Sequence, residues 1–338
     1  MVERDDDMPK ISIIVPVYNE EEHLKTCLDT LVNQSLDDIE IILIDDASVD
    51  SSFDILKEYA AKYPQFKVYC NMQNIGQGAT RNFGITKATG EYIGFLDADD
   101  AALPTMYEAM YKAALDNGFP DMVEVDIGIS EKEIEQKINN KYTTIEKGRV
   151  IDLAKNPLEV YWTSPSCCNK IIRRDFLGDY RFLENCVWED VAFTYSLMMK
   201  SDSFVRVQQK LYLYRRDIES GVSAKGYRSD APLGDIFRVA DEIENQAKIN
   251  GKEEVFREVI PLLQEAVCFQ RLSEINSWDV SEEIKNKTMI DFYNLVNAKY
   301  GYYRDLDTAF LSAKANLFLI EDVEKMASSS FESEKKIK

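Results

Sequence analysis

The sequence predicts an α/β fold: a Rossmann-like mixed sheet flanked by helices, followed by a C-terminal helical region. Three observations lead there. Four short runs, Ile11–Val17, 39–44, Phe66–Cys70 and 91–96, are apolar and rich in β-branched residues on both faces, the pattern of strands buried in a parallel sheet. Helical segments alternate with them, which implies a doubly wound sheet with right-handed crossovers. From Asp230 onward only helical periodicity remains.

Each element has its own signal. Residues 20–34 place Leu24, Cys27, Leu28, Leu31 and Val32 at helical spacing. Asp50 or Ser51 caps the next helix, which sets Phe53, Leu56, Tyr59 and Ala60 on one face. Residues 78–88 read as a third helix, another begins near Pro104, and 191–199 form one with Phe193, Leu197 and Met198 apolar. In the last third, Ile236, Val239, Ala240, Ile243 and Ala247 make one stripe, and Val255, Val259, Leu262, Leu263 and Ala266 a second. Ser281 caps a third helix, with Ile284, Thr288, Phe292 and Leu295 expected inward.

In a doubly wound sheet, ligands bind beyond the carboxyl ends of the strands. That rule selects 16–20, 45–48, 71–81 and 97–100. Asp45 and Asp46 end the second strand; Asp97, Asp99 and Asp100 end the fourth. Carboxylates crowded at one edge repel each other unless a cation or hydrogen-bond donors compensate. Mg²⁺ or Mn²⁺, held by one or two carboxylates plus substrate phosphates, suits such an edge. The competing structural explanation for Asp99-Asp100 is capping of the following helix.

Composition narrows the chemistry. The chain has 338 residues, 40 Lys+Arg against 60 Asp+Glu, a formal charge of −20 and one histidine, His23. This length suits one large or two ordinary domains. The acidity argues against nucleic acid, which needs a basic face, and one histidine excludes sites built on two. The six cysteines contain no C-x-x-C, so buried reduced thiols are expected. Residues 1–10 are acidic with no apolar core, so no signal peptide is read there. No apolar run reaches the ~18–20 residues of a membrane span. A cytoplasmic protein is expected, at most peripherally attached to a membrane at its inner face.

Four linked motifs carry a family resemblance. Ile13-Ile14-Val15-Pro16-Val17-Tyr18-Asn19-Glu20, Ile44-Asp45-Asp46-Ala47-Ser48-Val49-Asp50, Asn74-Ile75-Gly76-Gln77-Gly78-Ala79-Thr80-Arg81-Asn82 and Phe95-Leu96-Asp97-Ala98-Asp99-Asp100 resemble the family 2 glycosyltransferases of the GT-A fold. Trp188-Glu189-Asp190 stands where that family has its Glu-Asp pair, and Asn169 to Arg174 resembles its small bacterial surface-polysaccharide members. The resemblance spans about residues 10–220.

It implies a UDP-sugar donor and an inverting, metal-dependent hexosyl transfer to a glycan, lipid-linked oligosaccharide or glycoprotein. Pro16, Val17, Tyr18, Asn19 and Glu20 would hold the base through their backbone, and Asp46 would accept from the uracil N–H. Arg81 would partner the base or a site carboxylate. Asp97 would meet the ribose or metal, with Ala98 beside it, and Asp99 would ligate Mn²⁺ or Mg²⁺. Lys170 and either Arg215 or Arg216 would meet phosphate. Asp190 would be the general base, with Glu189 as fallback. At a helix N-terminus its pKa is expected to fall. Relatives often carry tryptophan where this chain has Cys168. The Gln-x-x-Arg-Trp motif of processive members is absent, so one sugar per encounter is expected.

The organisation that follows is 1–9 as a flexible N-terminus, 10–225 as the catalytic domain, 226–327 as a helical region and 328–338 as a tail. The helical region is expected to buttress the sheet, with self-association as its other role, and 310–320 is the best candidate for membrane or partner contact. Two other readings remain: a nucleotidyltransferase, disfavoured because residues 11–20 contain no glycine, and a non-catalytic nucleotide-sugar-binding subunit.

Overall fold

The computed structural model describes residues 8–130, 145–215, 233–277 and 280–300. Arg216, the 310–320 segment and the C-terminal tail lie outside them. Within them are β1 (Ile11–Val17), α1 (Leu24–Val32), β2 (Ile39–Asp45), α2 (Ser52–Lys62), β3 (Phe66–Cys70), α3 (Gln77–Lys87), β4 (Tyr92–Phe95), β5 (Ala101–Ala102) and α4 (Met106–Asp116). There follow β6 (Met122–Ser130), β7 (Arg149–Asp152), α5 (Glu159–Trp162), β8 (Lys170–Arg173), α6 (Arg174–Leu177), α7 (Glu189–Lys200), β9 (Ser203–Arg215), α8 (Asp235–Ile249), α9 (Val259–Ser277) and α10 (Glu282–Tyr300).

All four expected strands form, and they pair in one mixed sheet ordered β3-β2-β1-β4-β8-β6-β9-β5, with β7 on β9. β1, β2, β3 and β4 run parallel. β8 then runs antiparallel to both β4 and β6. Every residue of β1 and β2 is buried, as strands covered on both faces must be. The chain leaves β1 toward β2 and β3, then α3 carries it back across to β4 on the other side of β1. The order therefore reverses between β1 and β4, and the crevice at that reversal is where a ligand fits.

Helix α3 packs on β1 and β2, and α4 on β6 and β9. Helix α7 packs against α8, and α9 packs on both α8 and α10. The α8 stripe is buried as expected: Ile236, Val239, Ala240, Ile243 and Ala247 are at most 1% exposed. In α10 the inward face differs from expectation. Ile284 and Leu295 are exposed, while Met289, Phe292 and Val296 are buried. Met289, Ile290, Phe292, Leu295 and Val296 offer two overlapping apolar stripes, and packing on α9 selects one. Helix α1 starts at Leu24, not residue 20; the Glu20 and Glu21 N–H groups before it donate to Ser52 Oγ (2.8 Å) and Asp50 Oδ2 (3.1 Å).

All six cysteines are free thiols. Cys27, Cys167, Cys168 and Cys268 are buried as expected, whereas Cys70 at the end of β3 is exposed. No helix among the described residues is long and apolar enough to cross a membrane.

Candidate active site

Parallel strands end in register at Val17, Asp45 and Cys70, so the loops that follow them share one edge. Asn19 N–H donates to Ser48 Oγ (3.0 Å), and Val49 N–H donates to Asn19 Oδ1 (2.8 Å). These bonds close the loop after β1 onto the loop after β2. Asn19 and Ala47 both adopt left-handed backbone, φ 54° and 61°. A non-glycine residue holds that conformation at a cost and does so mostly where a site demands it. Tyr18 is left 46% exposed on the rim.

Asp46 sits beneath this rim and organises the loop after β3. Its Oδ1 accepts from Asn71 Nδ2 (2.8 Å) and Ile75 N–H (3.0 Å), and its Oδ2 from Gly76 N–H (2.9 Å). Gly76 has φ 85°, a value that suits glycine. Asn71 also donates to Thr80 Oγ1 at 3.1 Å. Asn71 and Thr80 were not singled out from the sequence; their signals were a place in the strand-end range 71–81 and, for Thr80, in the third motif.

The end of β4 collects the acids. Asp97 Oδ1 accepts from Arg81 Nη2 (2.8 Å) and Gln77 Nε2 (3.2 Å), and Asp97 Oδ2 takes no hydrogen bond among the described residues. Burial and the Asp97 charge raise the Asp99 carboxyl to about 6. Asp100 is not available to a cation. It is 1% exposed, accepts from Tyr212 Oη and from Arg215 N–H (2.7 Å), and its carboxyl is raised by burial and by Asp99. Arg215 is brought here, but its Nε donates to the Asp99 carbonyl at 2.8 Å.

Among the described residues no three His, Cys, Asp or Glu side chains converge to cage a metal. The residues nevertheless fit Mn²⁺ or Mg²⁺ shared with a diphosphate. Asp97 Oδ2 and Asp99 offer hard oxygens, and their mutual repulsion is what a cation would relieve.

One expected contact needs correction, and one expected alternative is decided. Lys170 is 1% exposed; its Nζ donates to Ser164 O (2.8 Å), Ser166 O (2.9 Å) and Asn169 Oδ1 (2.8 Å) and pairs with Glu124 at 3.5 Å. An ammonium has three N–H groups, so none is left for a phosphate. Arg81 is 2% exposed and divides its guanidinium between Asp97 and Glu189 (Nη1 to Oε1, 2.6 Å). Of its two expected partners, base or site carboxylate, the structure gives the carboxylates.

Glu189 and Asp190 open α7. Trp188 before them is left-handed at φ 61°, and its ring lies 5.0 Å from the guanidinium of Arg271, a buried residue of α9. Asp190 accepts one hydrogen bond among the described residues, from Val191 N–H at 2.9 Å. Its carboxyl is raised to about 7, opposite to the expected fall, because burial and the Glu189 charge outweigh Arg81 and the helix N-terminus. A partly buried carboxyl poised near neutrality suits proton abstraction.

The comparisons with known proteins fall on this geometry. Residues 12–181 match the family model described as glycosyl transferase family 2, half of the chain. The chain belongs to that family. It is 34% identical over 209 residues to the minor teichoic acid biosynthesis protein GgaB of Bacillus subtilis, covering 60% of this chain and 23% of that protein. It is 34% identical over 228 residues to the putative glycosyltransferase EpsH of B. subtilis, covering 63% of each. It thus spans less than two thirds of either relative. Among solved structures, S. aureus TarS 1-349 in complex with UDP-GlcNAc matches with TM-score 0.55 at 20% identity, over 94% of this chain and 81% of that one. At that identity the match establishes the shared GT-A fold.

Proposed function

We propose that this chain is an inverting, non-processive glycosyltransferase. It moves a hexose from a UDP-sugar to a hydroxyl of a glycan, lipid-linked oligosaccharide or glycoprotein, with Mn²⁺ or Mg²⁺ at Asp97 and Asp99. The observation that carries this reading is Asp190: a partly buried carboxyl raised to about 7, beside Glu189, which Arg81 links to the acid end of β4. The UDP-GlcNAc bound by TarS supports the donor class, and the teichoic acid role in the name of GgaB supports a surface polymer as acceptor.

In this reading the 16–20 and 45–48 loops receive the nucleoside. One lone pair of Asp46 Oδ2 stays open to a uracil N–H, since three donors occupy the others. The metal, when bound, offsets the charge of the departing diphosphate. Asp190 takes the proton of the acceptor hydroxyl as that oxygen attacks C1 from the face opposite the nucleotide. One such base contributes typically 10²–10⁴ in rate.

The test is hydrolysis across a panel of UDP-, GDP- and TDP-sugars with Mn²⁺, where water replaces the acceptor. A UDP-sugar should turn over, and Asp99→Ala and Asp190→Asn should each suppress it. Absence of turnover with every donor, or unchanged turnover in both variants, overturns the reading.

A further inference from the structure

Glu189 stands beside the proposed base, yet its carboxylate is committed elsewhere. Oε1 meets Arg81 Nη1 at 2.6 Å, while Arg81 Nη2 meets Asp97 Oδ1 at 2.8 Å. A single guanidinium thus spans from the end of β4 to the first turn of α7. Arg81 is fully enclosed, with Phe182 5.4 Å from its Cζ, and Phe182 stacks on Phe193 of α7 at 3.7 Å and 7°.

The same helix holds the approach to α7 at two further points. Asn82 clamps the Phe182 backbone from both sides: Nδ2 donates to its carbonyl (3.0 Å) and Oδ1 accepts from its N–H (2.8 Å). At Gly78 a Cβ would come within 2.7 Å of the Leu183 carbonyl oxygen and 3.1 Å of Glu189 Cγ. Only a hydrogen fits there, so the glycine permits Glu189 to lie against α3.

We infer that Glu189 and Arg81 are positioning residues: Asp97, Arg81 and Glu189 form one strut that fixes the first turn of α7, and with it Asp190, relative to the donor-binding end of β4. This rests on the reading of Asp190 as base. A misplacement of about 1 Å at a reacting group costs on the order of 10²-fold in rate, and the bidentate fork of arginine holds geometry more tightly than a point charge. Glu189 is then no reserve base, because its Oε1 is committed to the Arg81 guanidinium and not to an acceptor hydroxyl.

The experiment measures hydrolysis of the UDP-sugar that turns over fastest, with Mn²⁺, for Glu189→Gln, Asp190→Asn, the double variant and Arg81→Lys. Glu189→Gln preserves shape; its melting temperature is recorded alongside. The strut predicts that Glu189→Gln lowers kcat about 10²-fold with donor KM within twofold of wild type. Arg81→Lys recovers only part of the rate, and Glu189→Gln costs nothing further in the Asp190→Asn background. A reserve base predicts the reverse in that background, a further loss of tenfold or more, and that result overturns the inference. So does a Glu189→Gln protein that is folded and fully active while Asp190→Asn is not. Wild-type turnover in Asp190→Asn removes the catalytic reading itself and the inference with it.

Discussion

From β1 to β4 the acids Asp45, Asp46, Asp97 and Asp99 stand at or beyond the carboxyl ends of parallel strands, where loop N–H groups and Arg81 face them. Across β8, β6 and β9 the charges stand in the middle of the sheet and answer one another. Glu124 is the direct cross-strand neighbour of both Lys170 and Arg206 and pairs with each. Arg206 continues to Glu159 (2.7 Å) and Thr163 Oγ1 (2.8 Å). Two halves of one sheet therefore bury charge for different ends. At a strand end the charge faces a crevice and can act on a ligand; in mid-sheet it is closed off and can only specify packing.

The largest effect should come from the residue that the strand-end acids face across the crevice, through Arg81 and Glu189. Asp190→Asn removes the proposed base and should lower turnover by about 10²–10⁴ while leaving donor affinity in place, checked by titration calorimetry. It should also stabilise the fold. The Asp190 carboxyl is held at about 7, above its ordinary ~4, so the folded state binds the extra proton and stability falls as pH rises between those values. The melting temperature of the variant should exceed wild type more at pH 8 than at pH 5. Wild-type turnover should climb through pH 7 as the carboxylate forms. An alkaline decline with no rise near 7 would break the assignment.

The mid-sheet charges should behave in the opposite way. Lys170→Met strands Glu124 with one partner in a buried sheet, and breaking such a pair costs about 3 kcal/mol. Stability should drop by that order in urea denaturation, with the donor dissociation constant unchanged in the folded fraction. A donor affinity lost without loss of stability would restore Lys170 to the phosphate site and blur the distinction between the two halves.

These contrasts mark how far the sequence could be read. The first four strands were legible because a strand covered on both faces carries a continuous apolar run, and the strand-end rule then located Asp46, Asp97 and Asp99 without further help. Lys170 was misread because a motif places a residue along the chain but not its ammonium in space; only the fold brings Glu124 and the 164–166 carbonyls around it. Asp190 stands at a helix N-terminus as expected, while its acidity was misjudged. The helix N-terminus is visible in sequence, whereas the burial that outweighs it is contributed by distant segments. The Tyr212 to Asp100 bond and the Asn82 clamp on Phe182 join residues about a hundred positions apart, and no local pattern announces them.

Gly78→Ala probes the joint between the halves. The added methyl would stand 2.7 Å from the Leu183 carbonyl oxygen, a contact with backbone that can yield only by shifting α3 or the 182–189 segment. Overpacking of this kind costs about 1–3 kcal/mol. A fall in thermal stability together with a loss of turnover is expected, since the shifted segment carries Asp190. Retained stability would mean that the two halves meet less closely than the Arg81 strut requires.

The smallest effect belongs to Glu40, the acid at the opposite, amino-terminal end of β2, where no ligand edge exists. Burial alone would raise its carboxyl, but donors from Lys67 (2.5 Å), Ser12 Oγ (2.5 Å) and Thr89 N–H and Oγ1 (2.6 and 2.7 Å) outweigh burial and hold it at about 2. A carboxyl depressed below its ordinary ~4.3 adds stability above that value, and the gain disappears as pH falls through about 2. Lys67 is 46% exposed, so its ion pair is screened and Lys67→Met should cost under about 1 kcal/mol. Glu40→Gln should cost more, because it weakens the bonds that stitch β1, β2 and the 89–90 turn, and it should flatten the acid limb of stability between pH 4 and 2, followed by circular dichroism. Equal losses in the two variants would mean that charge, not hydrogen bonding, holds this end, and that the mid-sheet logic of Glu124 extends to the parallel half as well.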